Sequence, residues 1–230
     1  MRDNEINNIR PKSTFDTYAP QEGAQSQLEV KQAMLDLANN LIAASQGYYE
    51  TGNPLQDGAF FILSSPPGRG KTHLMEALIN HVSSAEPNMI NYMFLLKRSF
   101  TTFTIASEIS PLTFRDKPII FIDDLFSQHQ SVDTLKGATD IQKIGELISA
   151  AYDNRWLVVT TSNFPFLEGV LPKIAQNDTV GRVTSRCKEM LTARAGEFIL
   201  DGRDYRDIIA ENTKRDRDQR KRTTPTITFG

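Results

Sequence analysis

A single cysteine, Cys187, stands among the 230 residues, which excludes an internal disulfide framework and any multi-cysteine zinc cluster. Three histidines add little to a metal-ligand supply, so a structural metal site is not expected. Long apolar runs are missing as well. The longest, Ala59–Leu63 and Tyr92–Leu96, fall far short of the roughly 20 residues of a membrane span. The opening Met1-Arg-Asp-Asn-Glu-Ile carries no apolar core of a signal peptide. The expectation is a cytoplasmic protein with no membrane partner. Neither glycine (13) nor proline (11) is abundant enough for a fibrous chain, and 39% hydrophobic against 23% charged residues excludes wholesale disorder.

Charge of one sign is also lacking, but the balance is uneven. Residues 214–222 hold six bases and two acids, a net of +4, leaving −6 for the rest of a chain whose total is −2. A mildly acidic body with a basic end is unlike a protein that coats DNA with its whole surface, and polyanion contact should be local.

Along the chain, a polar stretch with Pro11 and Pro20 precedes helical spacing of Met34, Leu37, Ala38, Leu41 and Ile42, which predicts a helix over 26–45. Ser26 and Glu29 fit a capping box at its start. Apolar segments then predict strands at 59–63, 89–96, 118–122, 156–161 and 197–200. Helical patterns lie between them at 71–82, 141–152 and 179–191, the last with Val180, Val183, Cys187 and Leu191 on one face. Strands alternating with helices predict an α/β fold with a parallel sheet covered on both faces. The expected organisation is an arm over 1–13, one domain over 14–212, and a flexible basic tail over 213–230.

Between the first such strand and its helix lies Ser65-Pro-Pro-Gly-Arg-Gly-Lys-Thr72, which matches G-x-x-x-x-G-K-[ST] with Ser65 in place of the first glycine. In that context backbone N–H groups of the loop and the helix N-terminus converge on phosphate oxygens. Ser65, Pro66, Pro67, Gly68, Arg69, Gly70, Lys71, Thr72 and His73 are therefore the candidate nucleotide-binding residues. Lys71 is placed to neutralise the β- and γ-phosphates of ATP, and the Thr72 hydroxyl to ligate Mg²⁺. The alternative is a glycine-rich turn capping a helix.

Asp123 and Asp124 follow Ile119–Ile122 directly, at a strand end where ligands bind in such sheets. Asp123 is assigned to Mg²⁺ through water and Asp124 to the attacking water; an ordinary strand exit is the other reading. Asn163 ends Leu157-Val-Val-Thr-Thr-Ser-Asn163, where its amide is suited to the γ-phosphate or the water, with Thr161 in support, or else begins a turn. Arg182 and Arg186, four apart, suit a neighbouring subunit's γ-phosphate, although Arg186 is also spaced to pair with Glu189. Lys97, Arg98 and Phe100 interleave charge and ring as single-stranded DNA binding requires, or belong to core and surface. The bases Lys214, Arg215, Arg217, Arg220, Lys221 and Arg222 form a second candidate for DNA.

These strings together resemble AAA+ ATPases, and within them the DnaC/DnaI helicase loaders with their IstB and DnaA relatives. The resemblance rests on Thr14-Phe-Asp-Thr-Tyr18, Pro67-Gly-Arg-Gly-Lys-Thr-His-Leu74, Ile119-Ile-Phe-Ile-Asp-Asp-Leu125, Val159-Thr-Thr-Ser-Asn163, Gly181-Arg-Val-Thr-Ser-Arg186 and Gly202-Arg-Asp-Tyr-Arg206, in family order. It implies a five-stranded parallel sheet with a short or absent lid, ATP at a subunit interface, and assembly into a ring or open spiral. It also implies Walker B roles for Asp123 and Asp124, sensor 1 for Asn163, an arginine finger for Arg186 and a sensor-2-like role for Arg182. The implied activity is an ATPase in DNA replication that loads a replicative hexameric helicase and binds single-stranded DNA. An IstB-like ATPase that recruits a transposase and a stand-alone nucleotide hydrolase or kinase are the alternatives.

Overall fold

A computed structural model describes residues 6, 9–45, 58–97, 119–125, 138–178, 180–192 and 196–223, with the backbone alone at 96, 97, 138–141, 192 and 216–223. Apolar β-rich segments form five strands: β1 (Ala59–Ser64), β2 (Met93–Lys97), β3 (Ile119–Leu125), β4 (Leu157–Ser162) and β5 (Gly196–Ile199). All pairings are parallel and the order is β2-β3-β4-β1-β5. The helices are α1 (Gln25–Ser45), α2 (Lys71–Ala85), α3 (Ala138–Asn154), α4 (Leu171–Asn177), α5 (Arg182–Thr192) and α6 (Tyr205–Thr223). Among the described residues no helix is long and apolar enough to cross a membrane.

Strand alternation divides the interior in two. Phe61, Leu63, Phe121 and Val159 face one layer, packed on Met34 and Leu41 of α1 and Leu74 and Leu78 of α2. Phe60, Ile62, Ile120 and Val158 face the other, against Ile144 and Leu147 of α3 and Cys187 and Met190 of α5. Burial on both faces explains why these strands read as unbroken apolar runs. Truncating Phe60 or Phe121, both fully enclosed, is worth about 3–5 kcal/mol. Burial pushes the Cys187 thiol up to about 12, so it is core filler rather than a nucleophile.

Several boundaries depart from the sequence expectation. The strand expected over 89–96 is Met93–Lys97, because Pro87 starts a 3₁₀ turn over Pro87–Tyr92 instead. The helix expected from 179 starts at Arg182: Gly181 is left-handed at φ 70°, and the Asp178 carboxylate accepts the Thr184 N–H at 2.8 Å. Val180 is 83% exposed and takes no part in the apolar face. Ser26 is no N-cap; it sits inside the first turn of α1, and its hydroxyl donates to Asp201 across the fold. The arm expected over 1–13 packs down in its described part, with Ile6 buried and Ile9 against the core. The tail expected from 213 continues α6 as far as Thr223; its Arg, Lys and Gln are good helix formers, and Glu211 lies four residues before Arg215.

Candidate active site

Three neighbouring strands, β3, β4 and β1, end on one side of the sheet beside the N-terminus of α2, around a cleft of about 920 Å³. The loop between β1 and α2 is held at φ 77° at Gly68 and 88° at Gly70. Both glycines are also needed for close approach. A Cβ at Gly68 would collide with the Asp204 carboxylate, and one at Gly70 would lie 2.5 Å from the Tyr18 ring. Ser65 keeps a negative φ and its N–H donates to Ser162 O at 3.1 Å, so the missing first glycine leaves the loop undisturbed.

Lys71 turns inward from the first helical residue. Its ammonium donates to Ser65 O at 2.6 Å, Ser65 Oγ and Pro66 O at 3.2 Å, and Asn163 Oδ1 at 3.0 Å. Burial draws its pKa down to about 8; Asp124 and Asp123 pull the other way, while Arg69 and Arg206 add to the lowering. Thr72 Oγ1 and Thr161 Oγ1 both donate to Asp123 Oδ1, at 2.9 and 2.8 Å. Asn163 Nδ2 donates to Asp124 Oδ1 at 2.9 Å. The Asp124 carboxyl is raised, first by burial and then by Asp123, against the opposing charge of Lys71 and the Asn163 bond.

The hard oxygens of Thr72 and Asp123, adjacent at the mouth of the phosphate loop, fit Mg²⁺, which takes few protein ligands and completes its shell with phosphate and water. Among the described residues there is no cluster of three or more His, Cys, Asp or Glu to hold a metal otherwise.

The structure therefore brings Lys71, Thr72, Asp123, Asp124 and Asn163 together, with Pro67, Gly68, Arg69 and Gly70 also lining the cleft. His73 lines it too, but its Nε2 is engaged with Thr14 O at 3.0 Å and Thr17 Oγ1 at 3.2 Å. Arg182 and Arg186 do not line it. Arg182 is exposed, whereas Arg186 makes a double contact to Asp153 at 2.8 and 3.2 Å and lies 5.1 Å above the Tyr152 ring. At the start of α6, Arg206 lines the cleft and is clamped to Asp204 at 2.7 Å. Arg98 and Phe100 lie outside the described residues. Lys97 ends β2 opposite Asp123 in register, its side chain likewise undescribed. Lys214 and Arg215 are exposed on α6, while Arg217, Arg220, Lys221 and Arg222 are described only as helical backbone.

Sequence reasoning missed the walls. Tyr18 and Thr17 on one side and Tyr205, Arg206 and Ile209 on the other flank the loop. Tyr205 N–H donates to Gly68 O at 2.8 Å and Arg69 Nε to Gly202 O at 2.6 Å, which ties the start of α6 to the phosphate loop. The Gly202-Arg-Asp-Tyr-Arg206 string, part of the resemblance above, is the signal in the sequence for this wall.

Among solved structures, the DnaC helicase loader shares the fold with a TM-score of 0.54 and 18% identity, covering 82% of this chain and 97% of its own. DnaI does so with 0.51 and 16%, covering 87% and 92%. A replication initiator DnaA bound to AMPPCP and single-stranded DNA gives 0.50 and 16%, covering 90% and 56%. Among curated proteins none matches. The architecture is thus the P-loop AAA+ fold, with a five-stranded parallel sheet between helices. Residues 43–194, more than half of the sequence, match the family described as Novel STAND NTPase 3, and the chain belongs to that family of nucleotide hydrolases.

Proposed function

We propose that this protein binds and hydrolyses ATP with Mg²⁺ and acts as an assembly factor in DNA replication, loading a replicative hexameric helicase onto single-stranded DNA. The observation that carries the ATPase reading is the meeting of a cationic loop, a hydroxyl, two carboxylates and an amide in one cleft, drawn from separate strand ends. On ATP binding, Lys71 exchanges its loop carbonyls for phosphate oxygens. Thr72 and, through water, Asp123 would hold Mg²⁺, which would supply charge neutralisation at the phosphates. Asp124 accepts the proton of the attacking water, and Asn163 orients that water or the γ-phosphate.

The helicase-loading reading draws on the shared fold of the DnaC helicase loader and DnaI, and the DNA reading on the basic end of α6. The ATPase domain is assigned to 14–212, in the cytoplasm, with self-association into a ring or spiral that uses Arg186 in trans. Lys71→Ala should lower affinity for a fluorescent ATP analogue at least about tenfold, whereas Asp124→Asn should keep binding and lose hydrolysis. Undiminished affinity in Lys71→Ala overturns the site. Co-elution with a hexameric helicase supports the loader role, and co-elution with a transposase instead removes it.

A further inference from the structure

At the end of β3 the parallel ladder slips. Ile122 pairs with Thr160 and Leu125 with Ser162, so Asp123 and Asp124 together face the single residue Thr161. Such a bulge re-aims side chains beside functional sites. Here it leaves Asp124 at φ 65°, a left-handed conformation in which a residue with a side chain needs outside support.

One atom ties Asp124 to Asp123. Thr161 Oγ1 accepts the Asp124 N–H at 2.7 Å and donates to Asp123 Oδ1 at 2.8 Å. Thr161 is 1% exposed, so water is no ready substitute for either bond. A hydroxyl both gives and takes a hydrogen bond, which a valine of the same shape cannot do. Asp123 Oδ1 also receives Thr72, and Asp124 Oδ1 receives Asn163. The Thr161 hydroxyl thus bears on both acids, on the Asp123 carboxylate directly and on Asp124 through its backbone N–H, beside the bonds from Thr72 and Asn163.

We infer that Thr161 is a positioning residue for nucleotide hydrolysis: its hydroxyl holds the Asp123 carboxylate on the metal side and pins the backbone that aims Asp124 at the water. The inference rests on the ATPase reading above and deepens it, since the support Thr161 gives at this strand end runs through Asp123 and Asp124. Neighbouring Thr160 supplies the contrast. It is equally buried, but its hydroxyl donates to Ile122 O at 3.0 Å and reaches neither carboxylate.

The test compares wild type with Thr161→Val, Thr161→Ser and Thr160→Val. Binding of a fluorescent ATP analogue without Mg²⁺, steady-state hydrolysis across a Mg²⁺ titration, and thermal midpoints are measured. In Thr161→Val, analogue affinity should stay within about twofold and KM should change little. Its kcat should fall about 10–100-fold and the half-saturating Mg²⁺ should rise, as for loss of an outer-shell partner. Thr161→Ser should recover most of the rate, and Thr160→Val should keep it.

Wild-type kcat and Mg²⁺ dependence in Thr161→Val overturn the inference, as does an equal loss in Thr160→Val. Should the valine variant fail to fold, Thr161→Ala takes its place: a fall in kcat with retained analogue affinity supports the inference, and a wild-type kcat overturns it. Hydrolysis that needs Lys71 but is indifferent to Thr161 removes this inference alone. Absence of Lys71-dependent hydrolysis removes the ATPase reading and this inference with it.

Discussion

Lys71 fills the phosphate loop with its own ammonium, and that arrangement has a pH signature. A lysine ordinarily titrates near 10.5, and burial brings this one to about 8. For folding the sign is unfavourable below about pH 8, where the folded state binds the proton less tightly than the unfolded chain, and the burden lifts as pH rises from 8 towards 10.5. For nucleotide binding the sign reverses, because phosphate oxygens favour the charged form. Affinity should therefore decline above about pH 8, and binding at pH 9 should take up most of a proton. Calorimetry in buffers of different ionisation enthalpy measures that uptake. A value near zero at about pH 9 would mean that Lys71 is still charged in the free protein.

The same residue shows what was legible in the sequence. Lys71, Thr72, Asp123, Asp124 and Asn163 each sit at the end of an apolar run or in a glycine-rich turn, so local pattern and strand polarity located them. Thr161 was named in support at that strand end, but its two bonds, the bulge and the approach of Asp204 to Gly68 were not legible, since each depends on a partner across the sheet or in a distant turn. Ser26 failed as a cap for the same reason: it lies inside α1, and its hydroxyl oxygen accepts the Asp201 N–H at 3.0 Å from 175 residues away.

At the scale of elements, the positions of the strands and their parallel sheet were legible in the apolar runs, whereas the order β2-β3-β4-β1-β5 and the packing of the segment over 9–19 were not. That segment lies across α2 on polar contacts beside the buried Phe15 and Tyr18 rings. Glu76, buried at 1% exposure, accepts Arg10 Nε at 2.7 Å and Ser13 Oγ at 2.8 Å, and Asn80 Nδ2 donates to Arg10 O and Ser13 O. The strap ends with Tyr18 over Gly70, so it forms a wall of the cleft. Ser13→Ala withdraws a donor from a buried carboxylate and should cost about 1–3 kcal/mol in urea unfolding. Nucleotide affinity should weaken with it, because the Tyr18 wall loosens. Unchanged stability and affinity would show that the strap is held by its other contacts alone. A polar strap of this kind escapes periodicity, which reads apolar spacing and nothing else.

For the whole molecule, the question is what an arginine outside its own cleft is for. Arg186 is half-buried on α5, paired with Asp153 of α3 and stacked on Tyr152, and it lines no part of the nucleotide cleft of its own chain. In the assembly proposed above it reaches the γ-phosphate of a neighbour, which requires the Asp153 contact to open or to sit at the subunit boundary. Arg186→Ala should then keep ATP binding and lose hydrolysis by about 10³-fold or more, the scale of an arginine finger. Lys71→Ala should lose both. Mixing the two inactive proteins should restore part of the rate, since some interfaces will join an intact cleft to an intact arginine. Rate is read against mixing ratio, with co-assembly followed by size-exclusion chromatography. If the two variants co-elute and the mixture stays inactive, Arg186 has no role in trans, and its pairing with Asp153 and Tyr152 is only a brace between α3 and α5.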